Sequence, residues 1–219
     1  MTVWSDYLCP WCYLGLDREQ LLEDLGIEVV LRPYELHPEI PVGGRELREG
    51  GRTAMVFDHV GRECESVGLP FVRPRRSPNT RAVLAAAEHV RLSQPAVFPA
   101  LHRALFRAHF ADGLDIGDPA VVDSLIASCG GDPSPVRAAV DDGSALELVR
   151  ASMAEAIDHE VSGTPAFLMP SGFVIPGVQE RETMQLIAER LLARSQESRA
   201  PRPEGADPAK ATREDGPPG

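Results

Sequence analysis

The chain has 219 residues, 43% apolar and 25% charged, the make-up of one large globular domain or one domain carrying an insertion. Its net charge of −11 repels phosphate backbones and anionic bilayers, so neither nucleic acid nor a membrane is an expected partner. No apolar run is long enough to cross a bilayer, and the chain opens without the basic leader and apolar core of a signal peptide. The expected location is therefore cytoplasmic, where cellular thiols keep most of the four cysteines reduced.

Thr2–Asp6 is expected to form a short first strand, followed at once by Cys9-Pro10-Trp11-Cys12. Pro10 suits a first helical turn, Leu14, Leu21, Leu22 and Leu25 recur at roughly helical spacing, and Gly26 ends the pattern. Ile27–Leu36 reads as a second strand, and His37–Gly44 as a loop rich in proline and glycine. From Arg45 to about His159 the pattern is helical and no strand alternation is visible. The predicted helices are Thr53–Val67, Asn79–Ser93, Ala96–Ala111, Pro119–Cys129, Pro133–Asp142 and Ser144–His159. Strand signals return at Pro165–Met169 and Phe173–Pro176, on either side of a Ser171-Gly172 turn. A last helix is predicted over Glu180–Arg194. Residues 195–219 contain no large apolar side chain and read as a disordered tail. The chain is thus α/β, with a helical insertion between two halves of a sheet domain.

Two cysteines three apart on a helix share a face and can close a small disulfide ring. At a helix N-terminus the macrodipole and unpaired N–H groups favour the thiolate, which is the reactive form. The expected cycle is attack by Cys9, the more exposed thiol, then resolution of the mixed disulfide by Cys12. The dipeptide between them brings no positive charge and no histidine. Two other readings compete: half of a zinc site, though Cys64 and Cys129 are isolated and no second ligand pair is present, or two inert core thiols. No metal site and no bound cofactor are expected. The six histidines are scattered and read as ordinary helix or loop residues. Arg73, Arg75 and Arg76 read as a solvated loop that could attract an anion such as glutathione. Trp4, Trp11, Tyr13 and Phe167 could rim the sulfurs, although core packing explains Trp4 and Phe167 equally well.

Gly163-Thr164-Pro165 enters the late strand; alone it is only a loop before an edge strand. In combination, several blocks resemble the DsbA-like branch of the thioredoxin superfamily, specifically FrnE-like proteins. They are Trp4-Ser5-Asp6, Cys9 to Gly15, Arg32 to Leu36, Ser77 to Thr80, Gly163 to Phe167 and Val174 to Gly177. The resemblance implies a thioredoxin-like fold interrupted by a helical insertion domain. Residues 1–42 and 160–194 would form the discontinuous thioredoxin-like domain and 43–159 the insertion. It also implies a cis bond before Pro165 and a loop beside the cysteines whose Thr164 backbone pairs with an extended substrate. The site would then comprise Cys9 and Cys12 as catalytic residues and Thr164, Pro165, Trp11 and Pro10 as substrate-binding residues.

The leading expectation is a thiol–disulfide oxidoreductase, with disulfide isomerisation in its range, acting on protein or small-molecule disulfides. A cytosolic thiol, glutathione among the candidates as co-substrate, would be its partner, and the protein would be a monomer or homodimer. The alternatives are a glutathione-dependent isomerase or transferase of the 2-hydroxychromene-2-carboxylate isomerase or kappa-class type, and a non-catalytic chaperone or partner of a biosynthetic enzyme.

Overall fold

The structure, a computed structural model, describes residues 1–199 and the side chains of residues 1–194. Strand β1 (Thr2–Ser5) leads through Asp6–Cys9 into helix α1 (Pro10–Asp24), then strand β2 (Val30–Pro33). A helical region follows: α2 (Gly51–Ser66), α3 (Arg81–Ser93), α4 (Phe98–Phe110), α5 (Pro119–Ser128), α6 (Pro133–Asp141) and α7 (Ser144–Asp158). Strands β5 (Ala166–Leu168) and β6 (Val174–Pro176) and helix α8 (Arg181–Arg199) complete the chain.

The sheet order is β2-β1-β5-β6, with β1 parallel to β2 and the other pairs antiparallel. Period-two alternation divides β1 between two cores. Val3 aligns with Phe167, which aligns with Ile175, and this row packs with Leu21 and Leu22 of α1 and Met184 and Ala188 of α8. Trp4, one residue on, faces the other way and packs with Ala156 of α7, Val161 and Ala166. Fully buried side chains of this size each contribute about 1.5–3 kcal/mol.

The helices bury a third cluster in which Tyr13 of α1 stacks on Phe110 of α4, with ring centroids 5.1 Å apart. Helices α5 and α6 start alike, an aspartate N-cap before a proline. Asp118 accepts from Ala120 N and Asp132 from Ser134 N, each supplying one of the acceptors a helix start lacks.

Three expectations need correction. The middle stretch does contain strands: β3 (Arg45–Glu46) and β4 (Arg76–Ser77) pair antiparallel as a separate ribbon. At two residues each they are too short for alternation to register. The second strand is shorter than Ile27–Leu36 because its partner β1 has only four residues. Helix α8 continues past Arg194 to Arg199, so residues 195–199 are helical rather than tail. They contain no proline or glycine, and the first breaker is Pro201. Residues 200–219, where the rest of the disordered tail was expected, lie outside the described residues.

Candidate active site

The chain leaves β1 at Ser5 and turns at Asp6–Cys9, closed by Cys9 N donating to Asp6 O at 3.0 Å. Cys9 is the N-cap of α1 and Pro10 its first residue, so the cysteine pair sits at the helix start the sequence predicted. The peptide bond between Thr164 and Pro165 is cis. The Cys9 thiol donates to the Thr164 carbonyl at 3.4 Å. Cys9, Cys12, Thr164 and buried Pro165 therefore converge at one end of the sheet.

The two sulfurs are unbonded and differ in character. A hydrogen bond from the Cys12 side chain draws the Cys9 pKa down. The Thr164 side chain and the Cys12 backbone help, while burial and the Asp6 charge oppose. Burial, reinforced by the neighbouring Cys9, pushes Cys12 well up. The helix macrodipole is thus joined by a local cause, the second thiol. Cys9 is 3% exposed against 0% for Cys12, so the difference in exposure runs in the expected direction but both sulfurs are buried.

Of the proposed aromatic rim, only Trp11 reaches the surface, half-buried against the exposed His59 ring of α2 at 5.4 Å. Trp4 and Phe167 are core residues, and Tyr13 is buried with its hydroxyl donating to Pro70 O at 2.7 Å. Cys64 is buried with its thiol pushed up to about 12, and Cys129 caps the end of α5. Arg76 is occupied by Glu46 and the Gly43 carbonyl, and Arg73 by the Arg48 carbonyl. Among the described residues no group of three His, Cys, Asp or Glu side chains is placed to hold a metal ion. No helix there is long and apolar enough to cross a membrane.

Sequence reading missed Asp6. Fully buried, its carboxylate accepts from Leu36 N at 2.8 Å and Leu8 N at 3.3 Å, pinning the turn before Cys9 to the chain leaving β2. Burial raises its pKa to about 6. It also missed Ser5, Glu19 and His102, polar side chains buried behind the pair. The signal available was the polar step Ser5-Asp6 directly after the apolar pair Val3-Trp4, one residue on each face of the strand.

Fold and site together define a thioredoxin-like protein that carries a Cys-x-x-Cys pair at the start of its first helix. The sequence model of the DSBA-like thioredoxin domain matches residues 1–188, and the chain belongs to that family, in which thiol–disulfide oxidoreductase activity is general. A probable DsbA oxidoreductase from Streptomyces coelicolor is similar in structure, with a TM-score of 0.78, 27% identity and coverage of 88% of this chain and 89% of that one. A 2-hydroxychromene-2-carboxylate isomerase shares the fold at a TM-score of 0.69 and 21% identity, over 90% and 97% of the two chains. So does the cytosolic disulfide reductase DsbM from Pseudomonas aeruginosa, solved with GSH, at a TM-score of 0.60 and 18% identity, over 88% and 98%.

Proposed function

We propose that this protein, of FrnE-like type, is a dithiol–disulfide oxidoreductase of a reducing compartment. Cys9 attacks a protein or small-molecule disulfide, one substrate thiolate leaves, and Cys9 is held in a mixed disulfide. Cys12 then attacks Cys9, releases the second thiolate and leaves the Cys9–Cys12 disulfide. A thiol of the glutathione class reduces that bond and completes the cycle.

The observation that carries this reading is the inequality of the two thiols: Cys9 lowered by a bond from Cys12, Cys12 raised by burial and by Cys9. An isomerase or transferase acting through glutathione would not require that second thiol. The Thr164 N–H has no partner among the described residues, which suits main-chain pairing with an extended substrate. Pro165, Pro10 and Trp11 would supply its apolar surroundings. Insulin reduction driven by glutathione tests the proposal: Cys9→Ser should abolish turnover, and full activity in that variant would refute it.

A further inference from the structure

Resolution requires the Cys12 thiol to lose a proton while a substrate attached to Cys9 occupies the front of the site. Cys12 itself is fully buried in the apolar cluster between α1 and the helical region. Ser5, at the end of β1, lies close enough to Cys12 to draw its pKa down, yet the hydroxyl closes no hydrogen bond and has no partner. Ser5 also lines a narrow cavity of about 20 Å³ between β2, α3 and α4, with room for one water molecule. Tyr7 and His102 line the same cavity, and so does Arg32, whose buried Nε is a second polar atom without a partner.

From there the polar contacts continue in series. The Tyr7 hydroxyl meets Nδ1 of His102 at 3.1 Å, and Nε2 of His102 meets Glu19 Oε2 at 3.3 Å. Tyr7, His102 and Glu19 are all buried, at 5%, 4% and 6% exposure. Both contacts are hydrogen bonds when Tyr7 donates to Nδ1 and the neutral imidazole carries its proton on Nε2. The other charged groups on the cavity, Glu88 of α3 and Arg32 of β2, are paired with each other at 3.3 Å. Burying a hydroxyl, an imidazole and a carboxylate costs free energy that an apolar contact would avoid.

We propose that Ser5, a water in this cavity, Tyr7 and His102 form a proton relay for Cys12, with Glu19 as its counter-ion; the proposal rests on the dithiol chemistry above. The Cys12 proton moves to Ser5 Oγ as Ser5 passes its own to the water, the water to Tyr7, and Tyr7 to Nδ1 of His102. The imidazolium is held by the Glu19 carboxylate. The Cys12 thiolate forms the bond to Cys9 Sγ, the Cys9–substrate S–S bond breaks, and the departing thiolate takes its proton from solvent. Reduction of the enzyme by an external thiol returns the stored proton to Cys12. Ser5, Tyr7, His102 and Glu19 touch no substrate and act as positioning residues.

Ellman's reagent, a symmetric aromatic disulfide, separates the two steps in the full chain carrying Cys129→Ser. The first coloured thiolate reports attack by Cys9 and the second reports resolution by Cys12. His102→Gln keeps both hydrogen bonds but cannot store the proton. It should leave the first phase within about twofold and slow the second at pH 7 by at least about tenfold, as loss of a proton acceptor does. The slowed phase should then track hydroxide concentration. Ser5→Ala, nearly isosteric, should give the same split and serves if His102→Gln is unstable. A second phase with the unaltered rate and pH profile in both variants overturns the relay and leaves the dithiol reading standing. Slowing of both phases alike, with the original pH profile, makes the triad a structural pin and also overturns the relay. Release of a single thiolate by the parent protein overturns the dithiol reading and the relay together.

Discussion

The Cys9 thiol donates to the Thr164 carbonyl, a contact between residues 155 apart in sequence that joins the start of α1 to the loop entering β5. The pairing of Trp4 with Ala166 in the sheet fixes that approach. Cys9 thus meets a backbone group held by the sheet rather than by a free loop.

The first prediction concerns Cys9. Its thiolate is favoured chiefly by the Cys12 side chain, so Cys12→Ala should raise the Cys9 pKa. Alkylation of Cys9 by iodoacetamide, followed against pH, should shift its midpoint upward in that variant. An unchanged midpoint would assign the depression to the helix start alone.

Cys64 should be silent. It is fully buried, and its thiol is raised to about 12 by burial, so iodoacetamide at neutral pH should label it only after unfolding. Mass spectrometry of the alkylated native protein should find Cys9 modified and Cys64 intact.

Two buried groups titrate against each other. Asp6 has a folded pKa of about 6 above its ordinary 3.8, so its contribution is full below 3.8 and is lost as pH rises through 6. Burial lowers His109 from 6.5 to about 4, so its contribution is full above 6.5 and is lost as pH falls through 4. Each shift corresponds to about 3 kcal/mol, of opposite sign over nearly the same window. These two contributions should nearly cancel between pH 4 and 6.5. Asp6→Asn should unmask the His109 slope, a loss of roughly 3 kcal/mol on acidification, read from urea unfolding midpoints at stepped pH. His109→Gln should unmask the opposite slope.

Asp118→Ala removes the acceptor for Ala120 N at the start of α5. It should lower unfolding stability by about 1 kcal/mol, the usual cost of losing an N-cap, without changing Cys9 alkylation. Equilibrium urea unfolding measures the first and the alkylation rate the second.

The helices, the split sheet and the cysteine pair were legible because they rest on local signals. Aspartate–proline starts mark α5 and α6, leucine spacing marks α1, and a proline in the first turn marks the N-terminus of α1. β3 and β4 were illegible because two residues cannot display a period. The approach of Thr164 to Cys9 was legible only through family likeness, since no local pattern links positions 155 apart. The partners of Asp6 and His102 come from other segments, Leu36 in one case and Glu19 in the other. Their burial is a property of assembled elements, which single-residue chemistry does not disclose.

The order of β1 and β5 along the chain has a consequence for biosynthesis. The thiol pair is translated well ahead of the segment that covers Cys9, which comes 155 residues later. At about 5–20 residues per second the ribosome needs on the order of ten to thirty seconds to deliver it. Throughout that interval a nascent chain presents two thiols without the β5–β6 half of their sheet and without their Thr164 contact. Survival of the pair in reduced form then depends on the redox poise around the ribosome, before any folded protein exists to govern it.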